Sequence, residues 1–242
     1  MNSTHPRIEP GLAGAGRYSF PTFLAWALGS WLAALLLVLR GEDVFAQFFG
    51  DAPPVPVVAI IAVIGGACLW LLDLRGWSQP AEEQIGRVLR STIAAAVGFA
   101  ALAISFDAVI PFREDMNVEW PESVLYYPTI GFVAETVFHV LPLALIALIM
   151  GRRFDTDGGG RRALIAIVLV ATSETIFQVA IAISTDAGVA SMVFVGLHLF
   201  AIGLYELAAF RRFGFVALLS FRISYYLLWH IGWGHLRLSL LF

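Results

Sequence analysis

The sequence predicts an all-α fold: a polytopic transmembrane helical bundle of about seven spans. Mean hydropathy is +0.81 over 242 residues, with 59% apolar and only 14% charged residues, whereas soluble domains carry roughly 25% charged residues. The apolar residues fall in runs of about 20, the length that crosses a hydrocarbon core. Arginines gather in alternate connections between those runs, as expected of a chain that crosses a bilayer back and forth.

The elements follow in order. A polar tail covers 1–19, and the first apolar run, 20–40, is too long for a signal-peptide core and lacks a small-residue cleavage site, so it reads as a retained helix. The second run, 56–73, is short. Ser78-Gln79-Pro80-Ala81-Glu82-Glu83 then reads as a helix start, with Ser78 capping and acids in the first turn of a third span at 89–111. An acidic connection with Glu114, Asp115, Glu119 and Glu122 follows, beside Trp120, Tyr126 and Tyr127 suited to an interface belt. The fourth span is expected at 127–150. A flexible turn, Asp155-Thr156-Asp157-Gly158-Gly159-Gly160, leads to spans at 162–184, 187–210 and 214–234. Residues 1–242 therefore read as a single integral membrane domain.

Arg7, Arg17, Arg75, Arg87, Arg90, Arg152, Arg153, Arg161, Arg162, Arg211 and Arg212 share one side, leaving Arg40, Arg113 and Arg237 for the other. This predicts a cytoplasmic amino terminus and an outer carboxyl terminus. Membrane lipid is the expected surrounding, and a net charge of −3 argues against a nucleic-acid partner. Cys68 is the single cysteine, so no intramolecular disulfide can form. Asp73 and Asp107 lie near span ends and are expected to be solvated; Trp70, Trp77, Trp229 and Trp233 are expected to anchor at interfaces.

Two segments are nearly the same peptide. Ala134-Glu135-Thr136-Val137-Phe138-His139-Val140 and Ser173-Glu174-Thr175-Ile176-Phe177-Gln178-Val179 each place a carboxylate deep in an apolar run. Ionisable groups at membrane depth are expensive and usually mark function. Counting at about 1.5 Å per residue from the intervening turn brings them level as an antiparallel cross-pair, Glu135 with Gln178 and His139 with Glu174. The same count draws His198 and His230 into that slab. Glu206 and Arg222 fall nearer the cytoplasmic side, as a separate structural ion pair.

Imidazole and carboxylate are the side chains that hold a catalytic zinc ion, and a further carboxylate can take a proton from water. The catalytic candidates are Glu135, Glu174, His139, His198 and His230, with His139, His198 and His230 as the metal ligands. Without metal, a desolvated Glu acts as the base. Polar glue between helices is the simpler alternative. A small transporter is another, though its polar path is incomplete.

The stretch from Ile130 to His139 resembles the first motif of the CPBP (CAAX protease and bacteriocin-processing) intramembrane proteases, which reads Glu-Glu-x-x-x-Arg. Phe194-Val195-Gly196-Leu197-His198 matches the second motif of that family, Phe-x-x-x-His. Gly203-Leu204-Tyr205, through Arg211-Arg212-Phe213-Gly214 and on to His230, is similar to the third region. The resemblance covers 127–234. It implies hydrolysis of peptide bonds by Glu/His-activated water in a prokaryotic plasma membrane, on a membrane-protein or prenylated-peptide substrate. Ala134 stands in place of the first Glu, His139 in place of Arg, and Gly234 where Asn is common. A divergent, inactive member therefore stays open. The ending from His230 to Leu236 also resembles a rhomboid-protease helix motif, but no Gly-x-Ser-Gly nucleophile follows it.

Overall fold

Among the described residues the chain forms seven helices long and apolar enough to cross a membrane, each overlapping a predicted span. They are α1 (Ser19–Leu39), α2 (Pro54–Leu74), α3 (Ile85–Val109), α4 (Ser123–Met150), α5 (Gly160–Ser184), α6 (Val189–Phe213) and α7 (Phe215–Leu241). This computed structural model describes residues 19–77, 85–151, 160–185 and 187–242, except the side chain of Gln47. The predicted tail, the Ser78 cap and the 155–159 turn lie outside the described residues. No strand occurs among the described residues. The protein is a multi-pass membrane protein. Leu28, Val63, Leu102, Leu169 and Val193 are exposed on five of the helices, the apolar exterior that lipid requires.

Helices α4 and α7 form the hub. In their most apolar windows 56% and 44% of residues are buried, against 22–39% for the other five. α4 packs against α1, α2, α5 and α7, while α7 packs against α1, α3, α4 and α6. A polar residue on α4 or α7 therefore tends to meet protein rather than lipid.

Both hub helices depart locally from α-helical geometry. α4 widens into a π-turn over Glu135–Val140, just before Pro142. Proline has no N–H to return to the carbonyl four residues back, here Phe138. Ser173 on α5 shares its hydroxyl proton between that carbonyl and the Val170 carbonyl of its own helix, each at 2.8 Å. The proline thus creates an acceptor that docks α5 at the level of Glu174. α7 carries its own π-turn over Leu227–Trp233, and such turns recur at functional sites.

The last span differs from expectation by continuing to Leu241 rather than ending near 234. Arg237 and Asp107 account for this. Asp107 is not solvated: both residues are 0% exposed, and Arg237 Nε donates to Asp107 Oδ2 at 2.7 Å. The same guanidinium also donates to the carbonyls of Phe112 and Arg113. Trp233 Nε1 donates to Asp107 Oδ2 at 2.6 Å. Trp233 is therefore a partner of the ion pair, and Trp77 and Trp229 are buried; only Trp70, among these four, is exposed as an anchor should be. Tyr126 and Tyr127 likewise face inward instead of forming a belt.

Candidate functional site

The π-turn of α4 presents Glu135 and His139 on one face. Both are 0% exposed, and His139 Nδ1 donates to Glu135 Oε2 at 2.7 Å. A carboxylate on one ring nitrogen fixes the tautomer and leaves the other nitrogen with its lone pair. That other atom, Nε2, is buried without a hydrogen-bond partner and lies 3.8 Å from Glu174 Oε2.

Arg222 organises the rest. Its Nε donates to Glu135 Oε1. Nη1 and Nη2 donate to the two oxygens of Glu174 at 3.2 and 3.0 Å, and Nη2 also donates to Glu206 Oε2 at 2.8 Å. One guanidinium thereby gathers carboxylates from α4, α5 and α6, using the forked donor geometry that lysine lacks. Two glycines permit this. A Cβ on Gly131 would stand 3.2 Å from Arg222 Cγ and from Tyr226, so any larger residue would push these side chains back by a few tenths of an ångström. Gly214, at φ +78, makes the single-residue turn between α6 and α7. Glu206 and Arg222 are equidistant from it in sequence, which sets them at the same depth.

These contacts revise two sequence expectations. Glu135 is held by Arg222 and His139 rather than by Gln178. Glu206 and Arg222 do pair, but as part of the main cluster rather than apart from it. The sequence reading missed both as site members. Charge balance was the available signal, because carboxylates at membrane depth require a counter-charge and Arg222 is the arginine nearest the middle of a predicted span.

His198 and His230 sit elsewhere. They are equidistant from Gly214 and flank Tyr225, with ring centroids 5.9 and 6.2 Å from it. His198 Nε2 shares a 3.1 Å hydrogen bond with the Tyr225 hydroxyl, and its ring stacks on Phe194. His230 stacks on Tyr127 at 4.5 Å and its Nδ1 donates to Asn117 Oδ1 at 2.9 Å. Along α7, eight residues or roughly 12 Å separate His230 from Arg222. Among the described residues, the one trio of His, Cys, Asp or Glu with ligand atoms within 4.8 Å of each other is Glu135, His139 and Glu206. His139 belongs to it; His198 and His230 do not.

No family model, curated protein or solved structure matches this chain. The site's meaning thus rests on its own geometry.

Proposed function

We propose that this protein is an intramembrane hydrolase of peptide bonds, with Glu135 and His139 as the water-activating pair. The observation that supports this is the buried Glu135–His139 hydrogen bond of 2.7 Å with His139 Nε2 left unpartnered. Glu135 orients the ring, and Nε2 takes a proton from water as oxygen adds to the substrate carbonyl carbon. The same proton passes to the departing amine nitrogen as the C–N bond breaks, giving a carboxylate and an amine. General acid–base help of this kind contributes about 10²–10⁴-fold. Glu174, close to Nε2, and Arg222, which steadies both carboxylates, are positioning residues. The expected substrate is a membrane-protein segment or a prenylated peptide.

The test uses protein reconstituted in vesicles with a fluorogenic transmembrane peptide and a prenylated peptide as separate probes. Cleavage of one probe is expected, falling by at least ~10²-fold in His139→Gln while thermal unfolding confirms a folded variant. Cleavage that survives in both His139→Gln and Glu135→Gln removes the proposal, as does failure of the wild type to cut either probe.

A second reading is a non-enzymatic scaffold with a polar core. It is favoured by the four hydrogen bonds that Arg222 makes to three glutamates. It predicts that the same substitutions lower stability while no hydrolysis is detected in any variant.

A further inference from the structure

We infer that Glu135, His139 and Glu206 form a binding site for a divalent transition-metal ion of the zinc type, set between α4 and α6. The inference rests on the reading above for the importance of this cluster, but its test reads metal content, so the two can fail separately.

Charge is the first argument. Glu135, Glu174 and Glu206 face one guanidinium, Arg222, and all four are at least 95% buried. Three carboxylates against one fixed cation leave a deficit of two positive charges where an unbalanced ion costs several kcal/mol. A doubly charged cation closes that deficit; protons are the competing way to close it.

Geometry is the second. One ligand atom from each of the three residues lies within 4.8 Å of the other two. Donors around a tetrahedral zinc ion stand about 3.3–3.6 Å apart, a spacing inside that limit which side-chain rotation can set.

The third argument is independent of the acidic cluster itself. His139 Nε2 and Glu206 Oε1 are fully buried atoms without a hydrogen-bond partner. Buried polar atoms are nearly always satisfied. An imidazole nitrogen with a lone pair and a carboxylate oxygen both accept and cannot satisfy each other. A cation held among Glu135, His139 and Glu206 gives the Glu206 oxygen its partner. One nitrogen and two oxygen donors suit zinc or a neighbouring transition metal better than calcium, which takes six to eight oxygens. Three protein ligands also leave a fourth position open, the arrangement of catalytic rather than structural zinc. The ligand set differs from the three histidines that the sequence pointed to.

The experiment is equilibrium binding of Zn²⁺ to the full chain in detergent, read by metal analysis after removal of free ion and by competition with a chelator. Binding near one ion per chain is expected. Glu206→Gln and His139→Gln keep hydrogen-bonding shape and should each weaken it by at least ~100-fold, beyond the 10–100-fold typical of losing an outer-shell partner. His198→Ala and His230→Ala should leave the affinity unchanged, with thermal unfolding confirming that all four variants are folded. A wild-type chain that stays metal-free in excess Zn²⁺ overturns the inference in favour of protons. Retention of the ion in Glu206→Gln, or its loss in His198→Ala or His230→Ala, overturns the ligand set. Proteolysis without metal would leave the hydrolytic reading standing alone, and metal without proteolysis would leave this one.

Discussion

The hydroxyl of Ser173 on α5, shared with the Val170 carbonyl of its own helix, donates to the carbonyl of Phe138 on α4 at 2.8 Å, answering an acceptor that Pro142 leaves without its helical partner. In lipid such an acceptor has no water to turn to. Ser173→Ala should therefore lower stability by about 1–3 kcal/mol, the cost of a buried unsatisfied carbonyl. In a Pro142→Ala background, where residue 142 regains its N–H, the same change should cost much less. Denaturant titration in detergent of the four members of this cycle checks it; equal penalties in both backgrounds would mean that the proline is not the reason.

Arg222 should resist even conservative replacement. Lysine retains the charge but cannot reach Glu135, Glu174 and Glu206 together, because its ammonium lacks the planar fork. Arg222→Lys should destabilise measurably, and Arg222→Gln by about 3–5 kcal/mol, since it leaves buried carboxylates unbalanced. Unfolding curves near wild type for Arg222→Gln would show that the cluster holds nothing together.

Asp107 and Arg237 offer a cleaner case, because no reaction is assigned to them. Removing either partner strands a buried charge, so Asp107→Leu and Arg237→Met should each cost about 3–5 kcal/mol. The double variant should recover a large part of that loss. Additive penalties would indicate that Arg237 matters through its bonds to the Phe112 and Arg113 carbonyls.

Gly131 is predicted to be intolerant of a single methyl group. A Cβ there meets Arg222 and Tyr226 at 3.2 Å, and overpacking of this kind costs about 1–3 kcal/mol. Gly98, on exposed α3 surface, has nothing within 4 Å of its would-be Cβ. Gly98→Ala should be neutral or stabilising by up to ~1 kcal/mol. Comparing the two melting temperatures tests close helix approach against general dislike of alanine.

Much of the fold was legible because the determining quantity is local. Whether a run of residues can cross a bilayer depends on its length and summed hydropathy, and the seven runs read from the sequence are the seven helices found. The Glu135–His139 pair was legible for a related reason: residues four apart on a helix meet whatever the rest of the chain does. Depth was partly legible too. The count that paired His139 with Glu174 stands, with His139 Nε2 3.8 Å from Glu174 Oε2.

Rotation was not legible. A soluble helix shows its inward face by an apolar stripe, but a helix in lipid is apolar on every side, so sequence could not say toward which neighbour His198 or His230 turns. Both turned to aromatic rings. Nor does a count of Cα positions register the reach of a long side chain, and that reach joins Arg222 to glutamates on three other helices. By itself the sequence determined seven membrane-spanning helices and one Glu–His pair at depth. Packing of α4 against α7 decided which buried charges meet, because the desolvated carboxylates could be accommodated only where a guanidinium lay within reach.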